Sequence, residues 1–134
     1  MPSIFTRIIN REIPGHIVAE DDHHIAFLDI NPLVPGHTLV VPKLEVDYLF
    51  DLEDGAFCKL QLFSKKVADA LEQAMPCLRI GVSVIGLEVP HCHIHLIPIN
   101  SMDDMNFSRP KLNPTQDELT VIANRIRQIL DPRS

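Results

Sequence analysis

Three histidines, His91, His93 and His95, alternate with apolar residues in the segment 89–97. If this segment is a β-strand, its period of two places all three rings on one face and leaves the apolar residues for the core. Imidazole can attack phosphorus, transfer protons and bond phosphate near neutral pH, because its unperturbed pKa is about 6.5. A lone histidine on an apolar strand is usually structural, but three polar rings on one face are costly to bury without a functional reason. The row therefore predicts a functional site.

Two chemistries could use this row. Histidines two apart on a strand can share a zinc ion, which prefers three or four convergent ligands. Alternatively, the row works without metal, and one ring attacks phosphorus while its neighbours donate hydrogen bonds and protons. The residues by themselves leave both chemistries open.

Length and composition indicate one domain spanning residues 1–134, because 46% of the residues are hydrophobic and can form a substantial core. The N-terminal residues lack the apolar segment of a signal peptide, and no stretch approaches the roughly 18 apolar residues of a membrane span. We therefore expect a cytoplasmic protein. Cys58, Cys77 and Cys92 have no C-x-x-C spacing, which predicts reduced and mostly buried thiols.

The charge distribution limits the partners. A net charge of −6 disfavours nucleic acid and membrane surfaces as partners, because binding to both depends on excess lysine and arginine. Residues 1–54 contain ten acidic residues against three basic ones. We therefore expect a phosphate ligand to be bound by histidines and backbone N–H groups.

Apolar periodicity predicts an antiparallel α+β fold. It indicates a short helix over residues 4–9 and strands over 16–20, 24–29, 37–41, 78–84 and 89–97, with a tight connection between the last two. Pro42 and Pro98 are expected to end the strands that precede them. A long helix is predicted from an acidic cap at 51–54 to Pro76, with the apolar stripe Ala56, Leu60, Phe63, Val67, Leu71 and Met75. A capping box at 115–118 predicts a terminal helix with the stripe Leu119, Ile122, Ile126 and Leu130.

The histidine row followed by two apolar residues, segment 91–97, resembles the signature of the histidine-triad (HIT) family of nucleotide hydrolases and transferases. Segments 4–9, 12–14, 26–30, 35–43 and 88–90 resemble further blocks of that family, in its order. The resemblance covers roughly residues 3–100. It implies the HIT-like α+β fold, a five-stranded antiparallel sheet with a long helix and a C-terminal helix, which pairs into a homodimer that binds purine nucleotides.

The resemblance also implies roles for the histidines. His93 is expected to attack the α-phosphorus and form a nucleotidyl-histidine that water hydrolyses. The backbone carbonyl of His91 is expected to fix the His93 ring, and His95 to donate to a phosphate oxygen. His37 corresponds to a fourth histidine behind this row, whereas His16, His23 and His24 match nothing catalytic and are expected to be solvated.

The family's nucleotide pocket also has counterparts in this chain. Asp29 corresponds to a residue that accepts hydrogen bonds from the ribose, and by composition alone it is equally a turn-capping carboxylate. The expected walls of the base pocket are apolar residues that could equally be core: Phe5, Ile8, Phe27 and Ile30.

Departures from the family pattern carry their own expectations. Ser3 and Thr6 stand where many members have zinc-binding cysteines, so we expect no metal and no cofactor. Leu87 stands where a glutamine usually contacts the phosphate region. Ser83 corresponds to an asparagine of the preceding strand, and Glu88 to a serine near the leaving group.

The sequence thus predicts an enzyme that cleaves at the α-phosphate of purine nucleotide conjugates, such as phosphoramidates or dinucleoside polyphosphates, through His93. One alternative is a non-catalytic nucleotide-binding or interaction protein, which the loss of the amide at Leu87 favours. The other is a metalloenzyme with histidine ligands, which chelation and metal analysis would distinguish.

Overall fold

The computed structural model describes residues 2–132 and confirms the α+β fold. Its helices are α1 (Ile4–Ile9), α2 (Asp54–Ala74) and α3 (Gln116–Leu130), and short 3-10 turns lie at Leu49–Asp51 and Met102–Met105. The strands are β1 (Ile17–Glu20), β2 (His24–Leu28), β3 (Thr38–Pro42), β4 (Arg79–Ser83) and β5 (Ile94–Ile99). They form one antiparallel five-stranded sheet in the order β1-β2-β3-β5-β4.

The long helices α2 and α3 cover one face of the sheet. Leu60, Val67 and Leu71 of α2 and Ile126 of α3 are fully buried against it. Burial of each such side chain contributes about 1.5–3 kcal/mol. The predicted stripe of α2 is confirmed except at Ala56, which is exposed because contact with the sheet begins at Leu60.

The helix starts agree only in part with the sequence expectation. Thr115 caps α3 as predicted, and its hydroxyl accepts a hydrogen bond from the Glu118 N–H over 3.1 Å. Glu53 occupies the cap position of α2 but makes no side-chain cap bond. Instead, Asp54 places a carboxylate in the first turn, where the helix dipole favours negative charge.

The opposite face of the sheet carries a second, smaller core, to which α1 contributes Phe5 and Ile8. These side chains pack on strand residues that share a face: Ile25, Phe27, Leu39 and Val41. Leu39 pairs directly with His95 of β5, so His95 also lies on this face. The fold therefore places the histidine row on the side of the sheet that the long helices leave free.

Two details of the β4–β5 region differ from the prediction. The strand begins only at Ile94, and residues 84–93 form an irregular connection rather than a tight one, with Gly86 at φ 75° and Pro90, which has no N–H to donate. Pro98 does not end β5 but lies inside it, paired with Ile80 of β4. The pairing of β3 with β5 stops at Leu96, so β4 is the only strand of residues 2–132 that lies beside Pro98. No hydrogen bond to β3 is therefore lost because proline lacks an N–H.

The expectation of a solvated His24 is wrong. Its ring is only 6% exposed and stacks on Phe63, with centroids 5.0 Å apart. Nδ1 lies 2.9 Å from an Asp21 carboxylate oxygen, so the polar edge is satisfied while the ring face is buried.

The cysteine expectation is also wrong in part. All three thiols are free, but only Cys92 is buried, whereas Cys58 is exposed and Cys77 is half-buried. Burial raises the pKa of the Cys92 thiol to about 11, so it behaves as an apolar core group. Within residues 2–132, no helix has the length and apolar character needed to cross a bilayer.

Candidate active site

The three histidines of the row meet at the start of β5. His95 lies in the strand, and His91 and His93 lie in the irregular segment just before it. All three are at most 8% exposed, and the ring centroids of His93 and His95 are 4.9 Å apart. The alternation of side chains therefore continues beyond the strand and brings the rings together, as the sequence spacing predicts.

The His93 ring has a defined protonation pattern. Its Nδ1 lies 2.7 Å from the backbone oxygen of His91. A carbonyl only accepts, so Nδ1 carries the proton and Nε2 of the neutral ring keeps its lone pair. The edge of Phe5 packs against the ring at 4.9 Å and limits its rotation. This contact is the one that the resemblance implied for His91, and it leaves the lone pair of Nε2 without a partner among the hydrogen bonds of the described residues.

His37 and His95 form a second oriented pair. The Leu33 N–H donates to Nδ1 of His37 over 3.1 Å, so His37 carries its proton on Nε2. That Nε2 lies 2.9 Å from Nδ1 of His95, which must accept, and His95 is left with a proton on Nε2. Burial lowers the pKa of His37 to about 3 and that of His95 to about 4, so both rings are neutral at pH 7. His95 thus carries an N–H donor beside the His93 ring.

Asp29 and the four apolar residues expected at the nucleotide pocket differ in their exposure. Asp29 accepts a hydrogen bond from the Asn31 N–H over 2.9 Å, as a turn-capping carboxylate does, and its partial burial raises the pKa. Phe5, Ile8 and Phe27 are at most 8% exposed in the second core, whereas Ile30 is 57% exposed. Of these four apolar residues, Ile30 therefore has most of the surface that a nucleotide base could contact.

The residues of the β4–β5 connection lie at the mouth of the site. Ser83 pairs directly with His95 across the sheet. Leu87 is 88% exposed, and Glu88 is also exposed. Leu87 and His93 line the same cavity of about 400 Å³, to which exposed aromatic residues that the sequence did not indicate, Tyr48 and Phe50, also contribute.

Phe107 and Lys111 are further site residues that sequence reasoning missed. The Phe107 ring packs edge-on against His95 at 4.9 Å and against His37 at 6.2 Å. The Lys111 ammonium donates to the Phe107 carbonyl over 2.6 Å and lies 5.7 Å from the ring centroid. Its charge helps to lower the pKa of His37 and of His95, after burial. A positively charged side chain therefore lies near the histidine row. The sequence predicts only histidines and backbone N–H groups as ligands of a phosphate.

The His91 ring has three polar neighbours that local sequence patterns do not predict, namely Ser3, Thr6 and Glu45. Ser3 Oγ lies 2.7 Å from Nδ1 of His91, and Glu45 accepts from Thr6 Oγ1 over 2.6 Å. Among residues 2–132, no group of three or more histidine, cysteine or acidic side chains is arranged to hold a metal ion.

The HIT domain model matches residues 10–102, which include the complete histidine row. The chain belongs to the HIT family. An uncharacterized HIT-like protein of Borreliella burgdorferi is 40% identical over 131 residues, covering 92% of this chain and 94% of that protein. The adenosine 5'-monophosphoramidase of Saccharomyces cerevisiae is 35% identical over 96 residues, covering 71% of this chain and 61% of that enzyme. The crystal structure of a HIT-like protein from Bartonella henselae superposes with a TM-score of 0.82 at 32% identity, covering 95% of each chain.

Proposed function

We propose that this HIT protein is a nucleotide hydrolase or nucleotidyl transferase that cleaves purine nucleotide conjugates at the α-phosphate through His93. The observation that carries the proposal is the bond from His93 Nδ1 to the His91 carbonyl, because it leaves Nε2 free to attack. The similarity to an adenosine 5'-monophosphoramidase supports adenosine phosphoramidates as the first substrates to test.

The proposed reaction has two steps. In the first, Nε2 of His93 forms a bond to the α-phosphorus, the bond to the leaving group breaks, and the leaving group takes up a proton from solvent, which the water of the second step returns. His95 donates its Nε2–H to a phosphate oxygen, and the His91 carbonyl stabilises the positive charge that develops on the His93 ring. In the second step, water attacks phosphorus, loses a proton and releases His93.

Turnover on a panel of nucleoside phosphoramidates, dinucleoside polyphosphates and nucleotide sugars, with identification of the products, tests this proposal. We expect release of a nucleoside monophosphate from at least one class. Absence of turnover on every class, with nucleotide binding retained, would instead support the non-catalytic nucleotide-binding protein. The exposed leucine at position 87, which offers no hydrogen-bond donor to a phosphate, is the observation that favours this second candidate.

Lys111 is expected to attract the anionic substrate. Lys111→Ala should raise KM about three- to tenfold and change kcat little, because an exposed charge near a phosphate contributes roughly 1 kcal/mol. Steady-state kinetics at low and high salt check this, since screening should shrink the difference. Arg125→Ala, which removes an exposed cation of α3, is the matched control. An unchanged KM at low salt would remove Lys111 from the site.

We also propose that two copies of the chain pair through the β4 edge, with the exposed side of α2 covered by the partner. β4 has a neighbour on one side only, and its Val82 is 60% exposed, while Leu62 of α2 is 67% exposed. An uncovered edge with apolar side chains favours association. Light scattering should therefore give twice the chain mass of 15.1 kDa at micromolar concentration. Val82→Asp should shift the protein towards the monomer, and a wild-type mass near 15.1 kDa would contradict the proposal.

A further inference from the structure

The irregular backbone that carries His91 and His93 raises the question of what fixes the His91 carbonyl. This carbonyl holds the nucleophile, yet β5 begins only at Ile94, so the sheet ladder does not position it. Two backbone bonds help, from the His91 N–H to the Val89 oxygen over 2.8 Å and from the Cys92 N–H to the Val46 oxygen over 2.7 Å. The remaining constraint is the His91 ring itself, which is 0% exposed.

Both ring nitrogens of His91 are bonded, and the partners define the proton positions. Nε2 lies 2.8 Å from the backbone oxygen of Pro42, which can only accept, so Nε2 carries the proton. Burial lowers the pKa of His91, so the ring is neutral at pH 7 and Nδ1 holds a lone pair. The Ser3 hydroxyl, 2.7 Å from Nδ1, must therefore donate to it.

The Ser3 hydroxyl is in turn oriented by its own neighbours. It accepts a hydrogen bond from the Thr6 N–H over 3.1 Å. Its oxygen lies 2.7 Å from Nδ1 of His91 and 3.3 Å from Thr6 Oγ1, so the single proton is assigned to the shorter contact, with His91. Thr6 donates its hydroxyl proton to Glu45 over 2.6 Å rather than to the ring. Glu45 also accepts from the Ser3 N–H over 2.6 Å, and these bonds lower the pKa of Glu45 to about 2. The carboxylate thus holds the start of α1 against the segment after β3.

We propose that Ser3, Thr6 and Glu45 are positioning residues for the proposed reaction: they lock His91 in its Nε2–H form and so hold its carbonyl against His93. This inference rests on the proposed function, since the residue that they position acts through His93. None of the three reaches the reacting atoms. Without the Ser3 hydroxyl, Nδ1 of His91 loses its donor, and the ring can turn away from Pro42 and carry the carbonyl with it.

Ser3→Gly tests the proposal at small cost to α1, because glycine is tolerated at a helix cap, whereas alanine is not. We expect kcat to fall about tenfold with KM nearly unchanged, since misplacement of a reacting group slows the chemical step. Ser3→Thr keeps a hydroxyl and should restore kcat to near the wild-type value. Thr115→Gly removes the equivalent cap of α3, far from the row in sequence, and is the matched control for stability. Equal kcat values for Ser3→Gly and Thr115→Gly would overturn the proposal.

A spectroscopic measurement separates this inference from the proposed function. In nitrogen-15 spectra of the imidazole rings, wild-type His91 should be neutral with its proton on Nε2. In Ser3→Gly and in Glu45→Ala, the Nδ1 signal should shift or the ring should exchange between tautomers. A protonated His91 in the wild type, or identical His91 signals in all three proteins, would overturn the positioning role. These spectra need no substrate. They therefore test the positioning role of Ser3 and Glu45 even if the turnover assays show no activity.

Discussion

Replacing His93 with alanine should abolish turnover, because the substitution removes the atom that attacks phosphorus. We expect kcat to fall by at least about 10⁴-fold, as losses of a covalent nucleophile do. Nucleotide affinity should stay within a few-fold of the wild-type value, because Asp29, Ile30 and His95 are untouched. Single-turnover assays measure the first quantity, and calorimetric titration with a nucleoside monophosphate measures the second.

The control for His93→Ala is His23→Ala, which removes an exposed turn histidine. This variant should keep full activity. Mass spectrometry of the wild-type reaction, quenched in alkaline denaturant because the P–N bond of a nucleotidyl-histidine is labile in acid, should also detect one nucleotidyl group on the peptide that contains His93. Residual turnover of the His93→Ala enzyme above a few per cent of the wild-type rate, or a nucleotidyl group on another residue, would refute the covalent assignment.

The second large effect is a gain of activity at position 87. Leu87 is 88% exposed and shares a cavity with His93, so a longer polar side chain fits without disturbing the core. A glutamine amide there can donate to a phosphate oxygen as charge develops. One donor of this kind contributes roughly 2–4 kcal/mol in known oxyanion sites. Because this donor is not held in place beforehand, we expect Leu87→Gln to raise kcat on a phosphoramidate by about tenfold or more, with a smaller change in KM.

The matched control is Leu87→Ala, which removes the leucine without adding an amide. It separates the donor from the mere opening of the cavity. Steady-state kinetics of the three proteins on one phosphoramidate, each with an unchanged oligomeric mass, decide the question. If the glutamine variant is no faster than the alanine variant, Leu87 belongs to a differently built site, and its correspondence to the family's glutamine must be withdrawn.

Features that depend on local periodicity could be predicted from the order of the residues alone. The alternation of His91, His93 and His95 placed their rings together, and the apolar stripes predicted α2 and α3. The cap at Thr115 was confirmed for the same reason, because a hydroxyl that bonds the third N–H of a helix involves only neighbouring residues. Together these local signals were enough for the α+β fold.

Several partners that orient the histidines come from distant parts of the chain and could be identified only in the folded protein. His37 meets His95 across 58 residues of sequence, and Ser3 meets His91 across 88. For His93 and His37 the proton position follows from local bonds, to the His91 carbonyl and from the Leu33 N–H. The long-range bonds of His91 to Pro42 and of His95 to His37 determine which nitrogen of these two rings carries the proton. The same reason applies to Lys111, which approaches the row from an irregular segment, and to Pro98, which is tolerated in β5 because β3 ends beside it. Sequence periodicity thus predicted which rings lie together, whereas bonds between distant elements set the protonation of His91 and His95.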